Sequence, residues 1–200
     1  RARPEILPFG MDKRYALPED AQREICLLTG DMTELQTQTF GADVVVSSAN
    51  TDLQLGRYYD ADSISGALRY LDAERSADGR IVRDCLDQAL QESIKALGIV
   101  LPMVPGRVIA TRTNRLEREH GIKYVFHAAA LQGAVGDGYM MMDEVLDDCV
   151  RNVFERFAEV GPEAHLSSIL FPMLGAATTN MDPLDVARRL LNPIVHKMSM

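Results

Sequence analysis

The chain has 200 residues, 46% of them hydrophobic and 25% charged. These are the proportions of a globular protein with one sizeable core, not of a disordered or collagen-like chain. Its 29 acidic residues against 21 Lys and Arg give a net charge of -8, the wrong sign for general attraction to nucleic acid or anionic lipid. No apolar run approaches the about 18 residues a membrane-spanning helix needs, and the opening shows no secretory signal, so a soluble domain without a membrane segment is expected. The sequence starts at Arg1 instead of Met, which raises the expectation of a processed chain or a domain cut from a longer polypeptide, with a fused effector domain as its partner.

Residues 1–23 carry Pro4, Pro8, Gly10 and Pro18 among charges and read as an irregular N-terminal arm, leaving 24–200 as the folded domain. Glu24 to Thr29 (EICLLT) and Asp43 to Ser47 (DVVVS) read as buried strands. Between them Asp31 to Thr39 is polar enough for a short helix capped by Asp31 or Thr33. Ile64, Ala67, Leu68 and Leu71 recur at helical spacing after the capping residue Ser63. A second helix is expected from about Arg80 to Leu97, stopped by Gly98. Val108 to Thr111 and Tyr124 to Ala128 are further strands. A third helix runs from about Asp143 to Glu159, ended by Gly161-Pro162. A last strand spans Ser168 to Phe171, and a final helix begins at Pro183.

Strands and helices therefore alternate, which implies a three-layer α/β/α sandwich on a mixed, largely parallel central sheet. Three widely spaced cysteines, Cys26, Cys85 and Cys149, suggest neither a disulfide framework nor a zinc site. Buried free thiols are expected, in keeping with a reducing, cytoplasmic setting. No metal and no cofactor is called for.

In such folds ligands bind at the carboxyl ends of the strands. The first strand ends in Gly30-Asp31-Met32, where Asp31 reads either as a helix cap or as an acceptor for a ligand. The second ends in Ser48-Ala49-Asn50, a turn or a binding edge. Thr51 to Asp62 (TDLQLGRYYDAD) has the length and polarity of a lid. Gly133, Gly136 and Gly138 could offer amides to a phosphate beside an adaptable Met140 to Met142 surface. Gly175-Ala176-Ala177-Thr178-Thr179-Asn180 is a run of small residues ahead of a helix, suited to a phosphate or to an ordinary loop.

Taken in order, Gly30-Asp31-Met32, Ala49-Asn50, the strand around His127 and Phe171-Pro172-Met173-Leu174-Gly175 resemble the macro domain over about residues 24–196. The resemblance implies binding of ADP-ribose or ADP-ribosyl groups. In that case Asp31 accepts from the adenine amine, Met32 lines the base site, Asn50 contacts the distal ribose, and Gly175 through Asn180 wrap the diphosphate. His127 carries no implied role and is expected to be a core residue.

Two stretches depart from the pattern. Hydrolytic members follow their Asn with a short glycine-rich loop and a polar residue that positions water, where this chain has Arg57-Tyr58-Tyr59-Asp60. The last loop reads Gly175-Ala176-Ala177 where Gly-x-Gly is common, at a cost in backbone freedom. The leading expectation is an ADP-ribose binding or sensor module in which Arg57 offsets diphosphate charge and Tyr58 or Tyr59 covers a sugar or base. The alternatives are an ADP-ribosyl hydrolase using Asn50 with Asp60 or Asp62 to direct water, and a ligand-free macro-like interaction domain. RNA binding would have to rely on a local strip of Arg112, Arg115, Arg118 and Lys123, so nucleic acid is disfavoured.

Overall fold

The computed structural model describes residues 10–18, 20, 22–30, 41–58, 60, 63–134, 138–141, 145–174 and 182–199. Its centre is β3 (Val44–Asn50), flanked by β7 (Tyr124–Ala134) and β9 (Ile169–Leu170), both parallel to it. The edge strand β6 (Val108–Arg112) and the short β8 (Gly138–Met141) join β7 antiparallel. The sheet is therefore mixed, as the sequence suggests.

Side chains alternate across a strand, and here the alternation feeds two cores. Val44 and Val46 of β3 with Phe126 and Ala128 of β7 face α4 (Val145–Ala164) and α5 (Pro183–Met198), meeting Leu146, Val150, Val153, Val186 and Leu190. Val45, Ala49, Val125 and Ala129 point the other way. They meet Leu68 of α1 (Ile64–Asp72), Leu86 and Leu90 of α2 (Cys85–Ala96), and Leu116 of α3 (Arg115–His120). Helices thus cover both sheet faces, which is why β3 has room for so continuous an apolar run.

The amino end of β3 is fixed by Asp43. Its Oδ2 accepts from the Ser167 N–H at 2.7 Å, the Ser168 N–H at 3.2 Å and the Ser167 hydroxyl at 2.9 Å, and its Oδ1 pairs with Lys123 Nζ at 2.9 Å. Burial alone would raise this carboxyl's pKa, but the serine and lysine contacts prevail and hold it below the ordinary value. His127 is the expected core residue. It is fully buried, its Nε2 meets Thr111 Oγ1, and burial pushes its pKa down to about 3, so it stays neutral.

Several expectations need correction. The arm is not irregular throughout, because Gly10–Ala16 forms β1, antiparallel to β2 (Glu24–Thr29) in a separate two-stranded ribbon. β2 is correspondingly not a buried strand. Ile25 packs on the core, but Cys26 is exposed while Cys85 and Cys149 are buried, since the ribbon stands apart from the central sheet. The helix expected from Arg80 begins only at Cys85, because Asp84 accepts from the Asp87 N–H as an N-cap and Ile81–Arg83 (β5) pairs with Glu74–Arg75 (β4). Gly161-Pro162 does not end α4. The helix continues to Ala164, with Gly161 buried beside Phe157 and Leu166 and its carbonyl taking the Leu166 N–H at 3.1 Å. The helix expected over Asp31 to Thr39 lies outside the described residues.

Candidate functional site

At its carboxyl end β3 loses its regular register. Ala49 pairs with Ala129, but Asn50 pairs with Leu131, so β7 carries one extra residue there. The offset brings the Asn50 side chain, 2% exposed, between two backbones. Its Nδ2 donates to the Gly133 carbonyl at 3.4 Å, and its Oδ1 accepts from the Gln54 N–H at 2.9 Å. A primary amide has two N–H bonds and two acceptor lone pairs, so Asn50 is positioned at both ends and retains hydrogen-bonding capacity. Ala49 is buried in the core layer beneath it.

The described part of the connection from β3 to α1, residues 51–58 and 60 of the expected lid, forms a ledge on the core. Leu53 and Leu55 are buried in the core, the Leu53 N–H returns to the Asn50 carbonyl at 3.0 Å, and the Thr51 N–H reaches the Leu131 carbonyl at 3.1 Å. The Gly56 N–H donates to Ser65 Oγ at 2.9 Å. Ser63 caps α1 by accepting from the Gly66 N–H at 3.1 Å. Contact is so close that a Cβ on Gly56 would stand 2.0 Å from Ser63 Oγ, and one on Gly66 would stand 2.4 Å from the Arg57 carbonyl oxygen.

Tyr58 is tied down in the same way. Its hydroxyl donates to Asp84 Oδ2, and its ring lies under Arg69, with 4.6 Å from the guanidinium carbon to the ring centroid. Arg69 in turn reaches Asp84 Oδ2 through Nε at 2.7 Å and Nη2 at 2.6 Å, and donates from Nη1 to the Gly56 carbonyl at 3.2 Å. Burial, followed by the bond to Asp84, pushes the Tyr58 phenol up to about 12. Tyr58, one of the two tyrosines expected to cover a sugar or base, thus has its hydroxyl and one ring face engaged within the protein. Arg57 and Asp60, on either side of it in the chain, are exposed. Arg69 and Asp84 were missed from the sequence. The only local signal was an Asp immediately before a run of helical period.

The described part of the stretch after Ala128 runs on in β7 and returns as β8. Gly133 pairs with Tyr139, and Ala134 with Gly138; Gly136 and Met142 lie outside the described residues. So do Asp31, Met32, Tyr59, Asp62 and Gly175 through Asn180. The basic strip is largely neutralised, with Arg112 paired to Glu117 at 3.4 Å, Arg115 to Glu119 at 2.5 Å and Lys123 to Asp43. Among the described residues no helix is long and apolar enough to cross a membrane, and no cluster of His, Cys, Asp or Glu could hold a metal ion.

No protein-family model and no curated protein matches the chain. Solved structures do. A macrodomain of Oceanobacillus iheyensis solved with ADP is 20% identical, with a TM-score of 0.61, covering 94% of this chain and 81% of that one. A mutant of the same macrodomain with ADPR is 22% identical, with a TM-score of 0.59, covering 92% and 81%. The chain has the macrodomain fold. The macrodomain of Mycobacterium tuberculosis DarG has it too, at 15% identity and a TM-score of 0.52, covering 84% of this chain and 88% of that one. Within this macrodomain fold the described part of the candidate site is the carboxyl end of β3, with its ledge and its contact with the β7–β8 hairpin.

Proposed function

We propose that this domain binds ADP-ribose or an ADP-ribosyl group and acts as a binding or sensing module. The observation that carries the reading is Asn50, a buried amide held by backbone on both sides at the carboxyl end of the central strand and still able to bond a ligand hydroxyl. Two of the similar macrodomain structures contain ADP and ADPR, which supports the nucleotide class. In this reading Asn50 takes the distal ribose and Arg57 offsets diphosphate charge. Asp31, Met32 and the segment from Gly175 to Asn180 serve the adenine and the diphosphate. A neighbouring effector domain would receive the signal.

A binding role is favoured over hydrolysis because the ledge presents a clamped Tyr58 and an exposed Asp60 where a hydrolase needs a carboxylate held within one water of the anomeric carbon. Calorimetric titration with ADP-ribose, NAD and AMP tests the proposal. ADP-ribose is expected to bind and to raise the melting temperature by mass action. Asn50→Ala is expected to weaken binding about tenfold, the loss of one to two hydrogen bonds. No heat and no thermal shift at millimolar ADP-ribose would refute binding. Release of ADP-ribose from modified protein, abolished in Asp60→Ala or Asp62→Ala, would replace the sensor with a hydrolase.

A further inference from the structure

One carboxylate joins three elements beside the site. Asp84 Oδ1 caps α2 through the Asp87 N–H at 3.3 Å, while Oδ2 gathers Arg69 from α1 and Tyr58 from the ledge. Neither helix needs this convergence to be capped, because α1 is capped by Ser63 and α2 by the other oxygen of Asp84. The Arg69–Asp84 pair joins α1 to the start of α2, and the remaining bonds act on the ledge. They hold the Tyr58 phenol and ring and the Gly56 carbonyl, two points that bracket Arg57 in the chain. The Arg69 and Asp84 side chains are 22% and 23% exposed, so the pair is shielded from the screening that weakens surface ion pairs. Arg57 and Asp60 are exposed on a backbone that cannot swing without breaking the cluster.

We propose that Tyr58, Arg69 and Asp84 form a positioning triad that fixes the ledge and thereby selects ligands carrying the ribose and phosphate beyond AMP. This rests on the ADP-ribose reading of the same site. The triad touches no ligand itself. It sets where the chain on either side of Tyr58 stands relative to Asn50, which lies eight residues earlier and is anchored independently through Gly133 and Gln54. AMP lacks the distal ribose assigned to Asn50 and the second of the two phosphates assigned to Arg57, so it has fewer groups to set against the ledge. The triad therefore governs discrimination between ADP-ribose and AMP more than affinity for the nucleotide as such.

Tyr58→Phe removes the hydroxyl and keeps the ring. Arg69→Gln removes the fork and the charge, Arg69→Lys keeps the charge without the fork, and Asp84→Asn retains a good helix cap. Calorimetry of each with ADP-ribose and AMP is expected to show ADP-ribose affinity falling about tenfold in Arg69→Gln and by less in Tyr58→Phe and Arg69→Lys, with AMP affinity held within about twofold. Hydrogen exchange of the ligand-free variants should speed up at the Gly56 and Asp60 amides and stay unchanged at Gln54 and in α4. Parallel losses for both ligands, or no loss for either, would overturn the selectivity role alone. Unchanged ledge exchange would overturn the clamp. If the wild type binds neither ligand, the ADP-ribose reading and the selectivity role fall together, and the exchange data still decide whether the triad holds the ledge.

Discussion

The two ends of β3 are built from different chemistry. At the amino end an ionised carboxylate, Asp43, is engaged at both oxygens, by two serine residues and a lysine. At the carboxyl end a neutral amide, Asn50, makes one bond at 2.9 Å and one longer bond at 3.4 Å among the described residues. Both side chains are largely sheltered, so depth does not distinguish them; saturation does. A charge brought out of water must have its partners supplied by the fold, whereas an amide can remain partly unspent. The contrast separates a group that holds the strand in place from the one to which the proposed function assigns the ligand.

The widest separation of the two ends is expected from Asp43→Ala. Losing hydrogen bonds to a charged group should lower stability by about 3 kcal/mol, measured by urea unfolding, while the affinity of the folded protein for ADP-ribose stays level. An equal loss of affinity would show that the ends are coupled. Gly66→Ala sharpens the comparison at the ledge. An alanine in a helix ordinarily stabilises by about 1 kcal/mol over glycine, but here its Cβ would meet the Arg57 carbonyl at 2.4 Å. The sign should therefore reverse to a loss of about 2 kcal/mol, read in the same unfolding experiment, and a gain would show that the ledge is looser than described. The smallest effect is one of pH. Because the folded pKa of Asp43 lies below its ordinary 3.8, its contribution is fully present above that value and fades as pH falls through the lowered one. Stability of the wild type relative to Asp43→Asn should therefore shrink as pH falls below that ordinary value; a difference independent of pH there would mean the carboxylate is not what fixes the amino end.

The elements that could be read from the sequence were those whose local pattern and tertiary setting agree. The Val44 to Val46 run lies between two layers, and Ser63 ahead of Ile64, Ala67 and Leu68 caps a helix whose apolar face is buried. Misreadings arose where a tertiary contact overrode the pattern. EICLLT is apolar but lies in a two-stranded ribbon separate from the central sheet, and Pro162 is accommodated in the last turn of α4. Ile81 has helical spacing to Cys85, but the Asp84 cap starts the helix after it. At the site, Ala49-Asn50 was legible because a buried strand ends there. The role of Tyr58 was not legible, because its partners Arg69 and Asp84 lie 11 and 26 residues further on, and nothing in the spacing announces that one carboxylate serves both.

The close approach between the ledge and the first turn of α1 also determines how this chain can change. Gly56 leaves room for Ser63, and Gly66 leaves room for the carbonyl of Arg57, so neither glycine can be altered without disturbing its counterpart. A new ligand-facing loop cannot be grafted by exchanging residues 51–62 alone. It must bring with it an α1 start with matching small residues, along with the arginine at 69 and the aspartate at 84. Recombination or engineering should therefore treat residues 51–84 as a single inheritable cassette.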